Sequence, residues 1–362
     1  MLDPVTLQPG RPKKRFTRRT TKDSSQRIRR RVQWGFFALN VWIGLQFLLW
    51  VRAHERPAVG YSVSRPPGVE GWLPIAGLMN TKYLLATGRM PAIHPAAMFL
   101  FIAFLAMCLL LKKSFCSWLC PVGTLSEYLW KAGQRIFGRN LHLPKWLDIP
   151  LRGVKYLLFG FFAFIIGTMS AEMLGDFMAS PYGIVADVRM LNFFRYLGAG
   201  GAMVLIGLAV LSMLVQNFWC RYLCPYGALL GLASLLSPVR IRRDEGTCID
   251  CGKCARQCPA NLSVDTLVQI RSVECSACMA CIAVCPAEDA LQFALPARAA
   301  DTAKERWRGR VLKPARVVIA LALLFGGAVF YARITHHWRS DIPEEMYRQL
   351  IPEASRVHHP GV

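Results

Sequence analysis

Eight cysteines set in two copies of one spacing constrain this chain more than any other feature. Residues 248–259 read CIDCGKCARQCP, and residues 275–286 read CSACMACIAVCP. Each is C-x2-C-x2-C-x3-C-P, and the second copy starts 27 residues after the first. Three cysteines so closely spaced can wrap one face of a [4Fe–4S] cube, whose fourth thiolate then comes from elsewhere in the chain. A zinc site draws on short C-x2-4-C hooks and has no use for a third cysteine and a trailing proline, twice over.

Where such a run is doubled, the fourth cysteine of each run ligates the other run's cluster. The expected ligand sets are Cys248, Cys251, Cys254 and Cys285 for one cube, and Cys275, Cys278, Cys281 and Cys258 for the other. Two [4Fe–4S] cofactors make the chain an electron carrier.

The rest of the chain says where the electrons are carried. Of its 362 residues, 54% are hydrophobic, which is high for a soluble domain. The excess lies in five apolar runs, Val32–Val51, Ala92–Leu111, Tyr156–Leu174, Leu197–Val215 and Ala315–Ala332. Each has about the 17–25 residues of a spanning helix. Lys and Arg orient them. The N-terminal segment, the segment after the second run and the segment holding the cysteine motifs contain 33 of these residues, against 11 in the alternate segments. By the positive-inside rule the N-terminus and the cysteine motifs face the cytoplasm and the C-terminal tail faces out. The net charge of +22 is then a topology signal, and the basic N-terminal arm is expected to meet anionic headgroups and no nucleic acid. The first apolar run is too long for a signal-peptide core and reads as a retained anchor. A disulfide framework is excluded on the same ground, because structural disulfides are rare on the cytoplasmic side.

The expected fold class is therefore a mainly α membrane protein, with five transmembrane helices and an inserted small α+β dicluster domain. Its parts are a basic tail (1–31), a four-helix membrane domain (32–239), the 2[4Fe–4S] domain (240–297), a linker with the fifth helix (298–332) and an external tail (333–362). Within 240–297, six basic residues face seven acidic ones. Eight cluster thiolates would turn that balance negative and suit a basic partner surface.

A second duplication lies in the membrane part. The second apolar run ends in FCSWLCPVGTLSEYLW and the fourth in WCRYLCPYGALLGL, sharing C-x-[WY]-L-C-P-x-G-x-L at an interval of 104 residues. Cys116 and Cys120, like Cys220 and Cys224, stand four apart and share one helical face. Pro121 and Pro225 suit the first position of a new helix. Cys120 and Cys224 would then cap helix N-termini, where the dipole lowers a thiol pKa. Four such thiols could bind a soft metal such as Cu(I), cycle between thiol and disulfide, or line a path from quinone to cluster. They could also simply hold the turn together. Cys108, inside the second apolar run, reads as a small buried hydrophobe.

Together the two C-x3-C-P turns and the doubled run resemble the membrane-bound polyferredoxin family, which includes NapH, NosR, CcoG and YccM-like proteins. The resemblance covers roughly 32–332 and implies electron transfer among membrane quinones, cytoplasmic clusters and a partner redox protein. It implies a bacterial cytoplasmic (inner) membrane location with a periplasmic C-terminus. In the CcoG branch it implies copper reduction for oxidase assembly. About 30 residues follow the fifth run here, so the exported domain of that branch is not expected, and the architecture is closest to YccM-like members. The chain is read as the electron-transfer component of an oxidoreductase system, relaying between the quinone pool or a cytoplasmic donor and its partner. A copper reductase and assembly factor is the alternative.

Weaker signals remain. Without a C-x-x-C-H motif no covalent haem is expected. His94 suits a quinol site or a plain interfacial role. Glu172 and Asp176 suit quinol proton transfer or the interface, and His336–His337 and His358–His359 suit a metal or solvent. Residues 122–147 look like a helix lying on the inner membrane surface.

Overall fold

A computed structural model describes residues 23–55, 63–141, 143–296 and 311–360. Among these, helices dominate. Three are long and apolar enough to cross a membrane, Ser25–Glu55, Trp146–Thr168 (within the helix Lys145–Thr168) and Pro314–Ile334. A fourth crossing is available if Ala186–Arg195 and Ala199–Leu214, bent by 84° at their junction, form one span. The expected second span is the 17-residue apolar helix Pro95–Leu111, shorter than these. The expected third span also shifts. Its helix begins well before Tyr156 and ends at Thr168, and Glu172 lies on a separate helix, Ala171–Ala179. Ser170 produces that break, its hydroxyl accepting from Met173 N–H as the N-cap of the new helix.

Side chains on these helices point large apolar groups outward. Trp42, Leu157, Phe164, Met203, Leu323 and Phe330 are all more than 60% exposed. In water such surfaces would drive aggregation, and lipid is the solvent that accepts them. The chain is a membrane protein.

The described residues fall into two compact units. The first takes the start of helix Ser25–Glu55, residues 107–158 and residues 208–321. Its only regular sheet among the described residues is a two-stranded antiparallel pair, Arg240–Arg243 against Leu291–Ala294, with Ile241 opposite Phe293. Ile241 and Phe293 are buried and tie together the two ends of the cysteine-bearing segment. The short helix Ser114–Trp118 and the helix Pro121–Phe137 follow the apolar helix Pro95–Leu111. The π-helical turn Trp219–Leu223 and the helix Pro225–Ala233 occupy the matching place after Ala199–Leu214. Pro121–Phe137 approaches the chain at Met213 so closely that a Cβ on Gly133 would lie 1.9 Å from the Met213 carbonyl oxygen. Of the expected surface segment 122–147, residues up to Phe137 are helical, and Gly138 ends the helix in the left-handed conformation.

The second unit takes residues 37–106, 159–207 and 322–362. One of its apolar clusters gathers Phe47, Trp50 and Val51 with Val69, Ile184, Val188, Tyr347 and Ile351. Another joins Met79 and Ala97 to Ile166, Leu174 and Met178.

Candidate iron–sulfur and cysteine-turn sites

The two cysteine runs have the same backbone. Asp250 and Ala277, at matching places, have φ of 53° and 52°, and Gly252 and Met279 have φ of 66° and 57°. A non-glycine residue in the left-handed region is costly and tends to persist where a site requires it. Here it curls each loop back on itself, and a four-residue helical turn follows, Lys253–Arg256 in one run and Ala280–Ala283 in the other. Cys254 and Cys281 sit in these turns and are buried.

The thiols group across the runs. Cys248, Cys251, Cys254 and Cys285 line one cavity, walled by Ile249, Pro286 and Leu291. Burial pushes the Cys254 thiol up to about 12, with Asp265, Cys285 and Cys248 adding to the rise. Cys275, also pushed up to about 12 by burial, lies within electrostatic reach of Cys278 and Cys258. Cys281 is raised by burial and then by Cys278, Cys275, Cys258 and, least, Cys254. Each run's fourth cysteine thus stands with the other run's first three. Four sulfur donors, an apolar wall and tightly curled backbone fit a cube held by thiolates.

The C-x3-C-P turns form a second cysteine group in the same unit. Cys120 and Cys224 are N-caps, and Pro121 and Pro225 open the following helices. Gly123 N–H donates to Cys120 Sγ at 3.4 Å, and Gly227 N–H donates to Cys224 Sγ at 3.2 Å. Gly123 is required, because a Cβ there would meet the Cys116 carbonyl oxygen at 2.2 Å. The expected drop in thiol pKa is overturned for Cys120. The capping position is as read, but burial outweighs the bond from Gly123 and raises the thiol well above its ordinary value. Burial likewise raises Cys116 to about 11 and Cys220 to about 12. Cys116 is raised further by Cys224, Cys120 by Cys116 and Cys220, and Cys220 by Cys224 and Cys116. The two turns therefore bring their four thiols within electrostatic reach of one another. Cys108 is fully buried, as read from the sequence.

Lys113 is buried beside this group. Burial works against its charge, but Cys116, Glu274, Cys224 and Cys220 hold the ammonium above its usual range. The same turn grips the second cysteine run. Ser117 Oγ donates to the Ser276 carbonyl at 2.5 Å and Trp118 Nε1 to the Ala277 carbonyl at 3.1 Å. Gln26 Nε2 donates to the Cys278 carbonyl at 2.9 Å, and Lys155 Nζ reaches both oxygens of Glu274 at 2.6 and 2.8 Å. Glu127, which follows the first turn, pairs with Arg29 at 2.6 and 2.7 Å and with Lys131. Its counterpart 104 residues on is Gly231, where a Cβ would lie 3.1 Å from the Val273 carbonyl oxygen. Asp148 fastens the second turn, accepting from Tyr222 Oη at 2.6 Å and pairing with Arg221 at 2.8 Å. Arg29, Lys113 and Asp148 were not legible as site residues, since their partners lie far off in sequence at no fixed spacing.

The second unit buries its own polar cluster. Arg65 pairs with Glu70 at 2.7 Å and Asp187 at 2.6 Å, and both carboxylates are fully buried. His94 Nδ1 lies 3.2 Å from Glu70, and its Nε2 lies 2.9 Å from the Gly183 carbonyl. Arg65 holds the Glu70 carboxyl down to about 2 against the opposing effect of burial. Every member has a partner, so His94 serves as a buried pin between chain segments. Glu172 and Asp176 are exposed. His359 packs against Tyr182, with ring centres 4.9 Å apart, and no metal-binding group forms among the described residues of the tail.

Comparison with known proteins agrees with this geometry. Residues 93–140 and 197–243 match a 4Fe–4S binding domain, and residues 240–304 match a 4Fe–4S dicluster domain. YccM of Escherichia coli (strain K12), described as an electron transport protein, is 49% identical over 331 residues, covering 91% of each chain. The chain belongs to the YccM-like membrane polyferredoxins. More distant kin of this polyferredoxin are the ferredoxin-type protein NapH of the same strain and the methylamine utilization ferredoxin-type protein MauN of Paracoccus denitrificans. NapH is 26% identical over 223 residues, 59% of this chain and 72% of NapH. MauN is 28% identical over 210 residues, 56% of this chain and 69% of MauN. No solved structure matches the polyferredoxin. It is an electron-transport protein with 4Fe–4S domains.

Proposed function

We propose that this chain relays electrons between the quinone pool, or a cytoplasmic donor, and a partner redox protein through two [4Fe–4S] clusters at the cytoplasmic face of a bacterial inner membrane. The observation that carries this reading is the crossing of the two runs, which sets Cys285 with Cys248, Cys251 and Cys254, and Cys258 with Cys275, Cys278 and Cys281. These are the proposed ligands. A bound cube stores and releases one electron without moving a proton. The chain's own part is to exclude water from the sulfurs, through Ile249, Pro286 and Leu291 in one set, and to fix the second set against the membrane domain through Ser117, Trp118 and Gln26.

The cysteine turns belong to the same function. The matched 4Fe–4S binding segments, 93–140 and 197–243, contain Cys116, Cys120, Cys220 and Cys224 and none of the eight run cysteines. We assign these four a redox or soft-metal role. Basic residues concentrate on the segments flanking both sites, which supports a position at the inner face with the tail outside.

A potentiometric EPR titration of the anoxically purified protein tests the reading. Two interconvertible cluster signals with midpoints around −100 mV or above would make quinol a competent donor. Midpoints near about −400 mV would exclude quinol and point to a cytoplasmic reductant. Protein that binds no redox-active iron would overturn the proposal.

A further inference from the structure

We infer that fixed charges make the second-run site the electron sink of the pair, so that electrons enter from a soluble one-electron donor protein at the first-run site and pass inward to the membrane domain. This rests on the two-cluster reading above and gives its relay a direction.

Three buried lysines are the first argument. Lys112, Lys113 and Lys155 are 1%, 5% and 0% exposed, although lysine is almost never fully buried without a partner. They converge on three consecutive residues, Ser272, Val273 and Glu274, which lead straight into the ligand Cys275. Lys112 Nζ donates to the Ser272 carbonyl at 3.0 Å, and the same oxygen accepts from the Cys275 N–H at 3.3 Å. Lys113 Nζ and the Val273 carbonyl oxygen meet over Gly231, 3.6 and 3.1 Å from where its Cβ would be. Lys155 Nζ binds both oxygens of Glu274. Among the described residues, Lys155 alone of the three forms an ion pair. Two further ammonium groups therefore stand beside the second-run site, where a thiolate-bound cluster is the negative charge that compensates them.

The first-run site is set among acids. The strand pair ends with Arg243 opposite Leu291, and the chain runs past that end into Asp244 and Glu245 on one side and Asp289 and Glu288 on the other. Asp244 N–H donates to the Ala290 carbonyl at 2.9 Å, which keeps the two acidic turns together. Asp250 stands between Cys248 and Cys251, its Oδ1 3.6 Å from the Cys248 sulfur, and Asp265 lines the cavity of the four thiols. Solvent screens the exposed charges of both signs, Glu245 and Asp289 as well as Lys253 and Arg256. Four acids then remain against one base, Arg243.

Charge orders the two sites. Reduction adds one negative charge, which a neighbouring ammonium favours and a neighbouring carboxylate opposes, most strongly where protein excludes water. Thiol burial differs little between the sets, with Cys254 buried in one and Cys275 and Cys281 in the other, so the opposite charge surroundings decide. One electron passes from the reduced first-run site to the oxidised second-run site, and no bond is made and no proton moves. Ser117 and Trp118 hold the second-run loop against the end of a membrane helix, so the electron arrives beside the membrane domain. The soluble donor is oxidised at the first-run site, and the partner redox protein of the relay is the acceptor.

The test is a potentiometric EPR titration of the full-length protein purified anoxically in detergent, beside Lys112→Met, Lys112→Arg and Asp265→Asn. Two midpoints at least about 59 mV apart are expected, which is a tenfold preference for a one-electron couple. Lys112→Met should lower the higher midpoint alone, Lys112→Arg should restore it by keeping the charge, and Asp265→Asn should raise the lower midpoint alone. If Lys112→Met fails to fold, the wild type and Asp265→Asn still decide. Midpoints closer than that, a lower midpoint that falls in Lys112→Met, or a higher midpoint that rises in Asp265→Asn would overturn the direction while leaving two clusters in place. A protein without redox-active iron would instead sink the two-cluster reading, and the direction with it.

Discussion

Trp118 and Ala277 are joined by a hydrogen bond of 3.1 Å from the indole Nε1 to the carbonyl oxygen, and both residues are almost completely buried. The bond ties the first C-x3-C-P turn, at a membrane helix end, to the loop between Cys275 and Cys278. Trp118→Phe keeps most of the apolar contact and removes the donor. A buried carbonyl left without its partner costs about 1–3 kcal/mol. The variant should lose the second-run EPR signal first on warming, with the first-run signal less affected. The same change at exposed Trp42 should alter neither.

Cys285 lies in the second run but stands with Cys248, Cys251 and Cys254. Cys285→Ser should therefore perturb the cluster of the first run, and Cys258→Ser that of the second. Potentiometric EPR of the two variants distinguishes the signals. Loss of the second-run signal in Cys285→Ser would mean that each run serves its own cluster.

Lys113 is the buried cation closest in character to an electrostatic tuner, being held charged among the turn thiols and Glu274. A unit charge about 10 Å from a redox centre in a medium of effective dielectric about 20 is worth about 1.7 kcal/mol. That corresponds to roughly 70 mV for a one-electron couple. Lys113→Met should lower the midpoint of the nearest cluster by about that much, because the reduced and more negative state loses its attraction. An unchanged set of midpoints would show that Lys113 serves packing alone.

The parts of this molecule legible in its sequence are those in which chemistry fixes spacing. The eight cysteines, the two C-x3-C-P turns and the capping places of Cys120 and Cys224 are local patterns, and each one forms as its residues require. Apolar runs were legible as helices but less so as spans. Ser170 divides one run, and the chain bends by 84° before Ala199–Leu214, neither of which hydrophobicity alone encodes. The thiol pKa of Cys120 was misread for a related reason, because a capping dipole is local whereas the burial that overrides it is tertiary. Ion pairs were the least legible. Arg65 with Asp187 and Arg29 with Glu127 join residues about a hundred positions apart, and no periodicity announces them.

Glu127 offers a pH test of one such pair. Burial works against its charge, but the bonds from Arg29 and Lys131 hold its carboxyl down to about 2, below the ordinary 4.5. A carboxyl depressed on folding contributes stability that is fully present above about pH 4.5 and is lost as pH falls toward 2. The contribution is on the order of 3 kcal/mol. Thermal unfolding of the detergent-solubilised protein should show Tm falling through this window. In Glu127→Gln the fall should be shallower. That variant should also be less stable at neutral pH by about 3–5 kcal/mol, because Arg29, only 4% exposed at its side chain, keeps its charge with no carboxylate opposite. Parallel curves for the two proteins from pH 5 to 3 would show that the Arg29–Glu127 pair contributes nothing to acid stability.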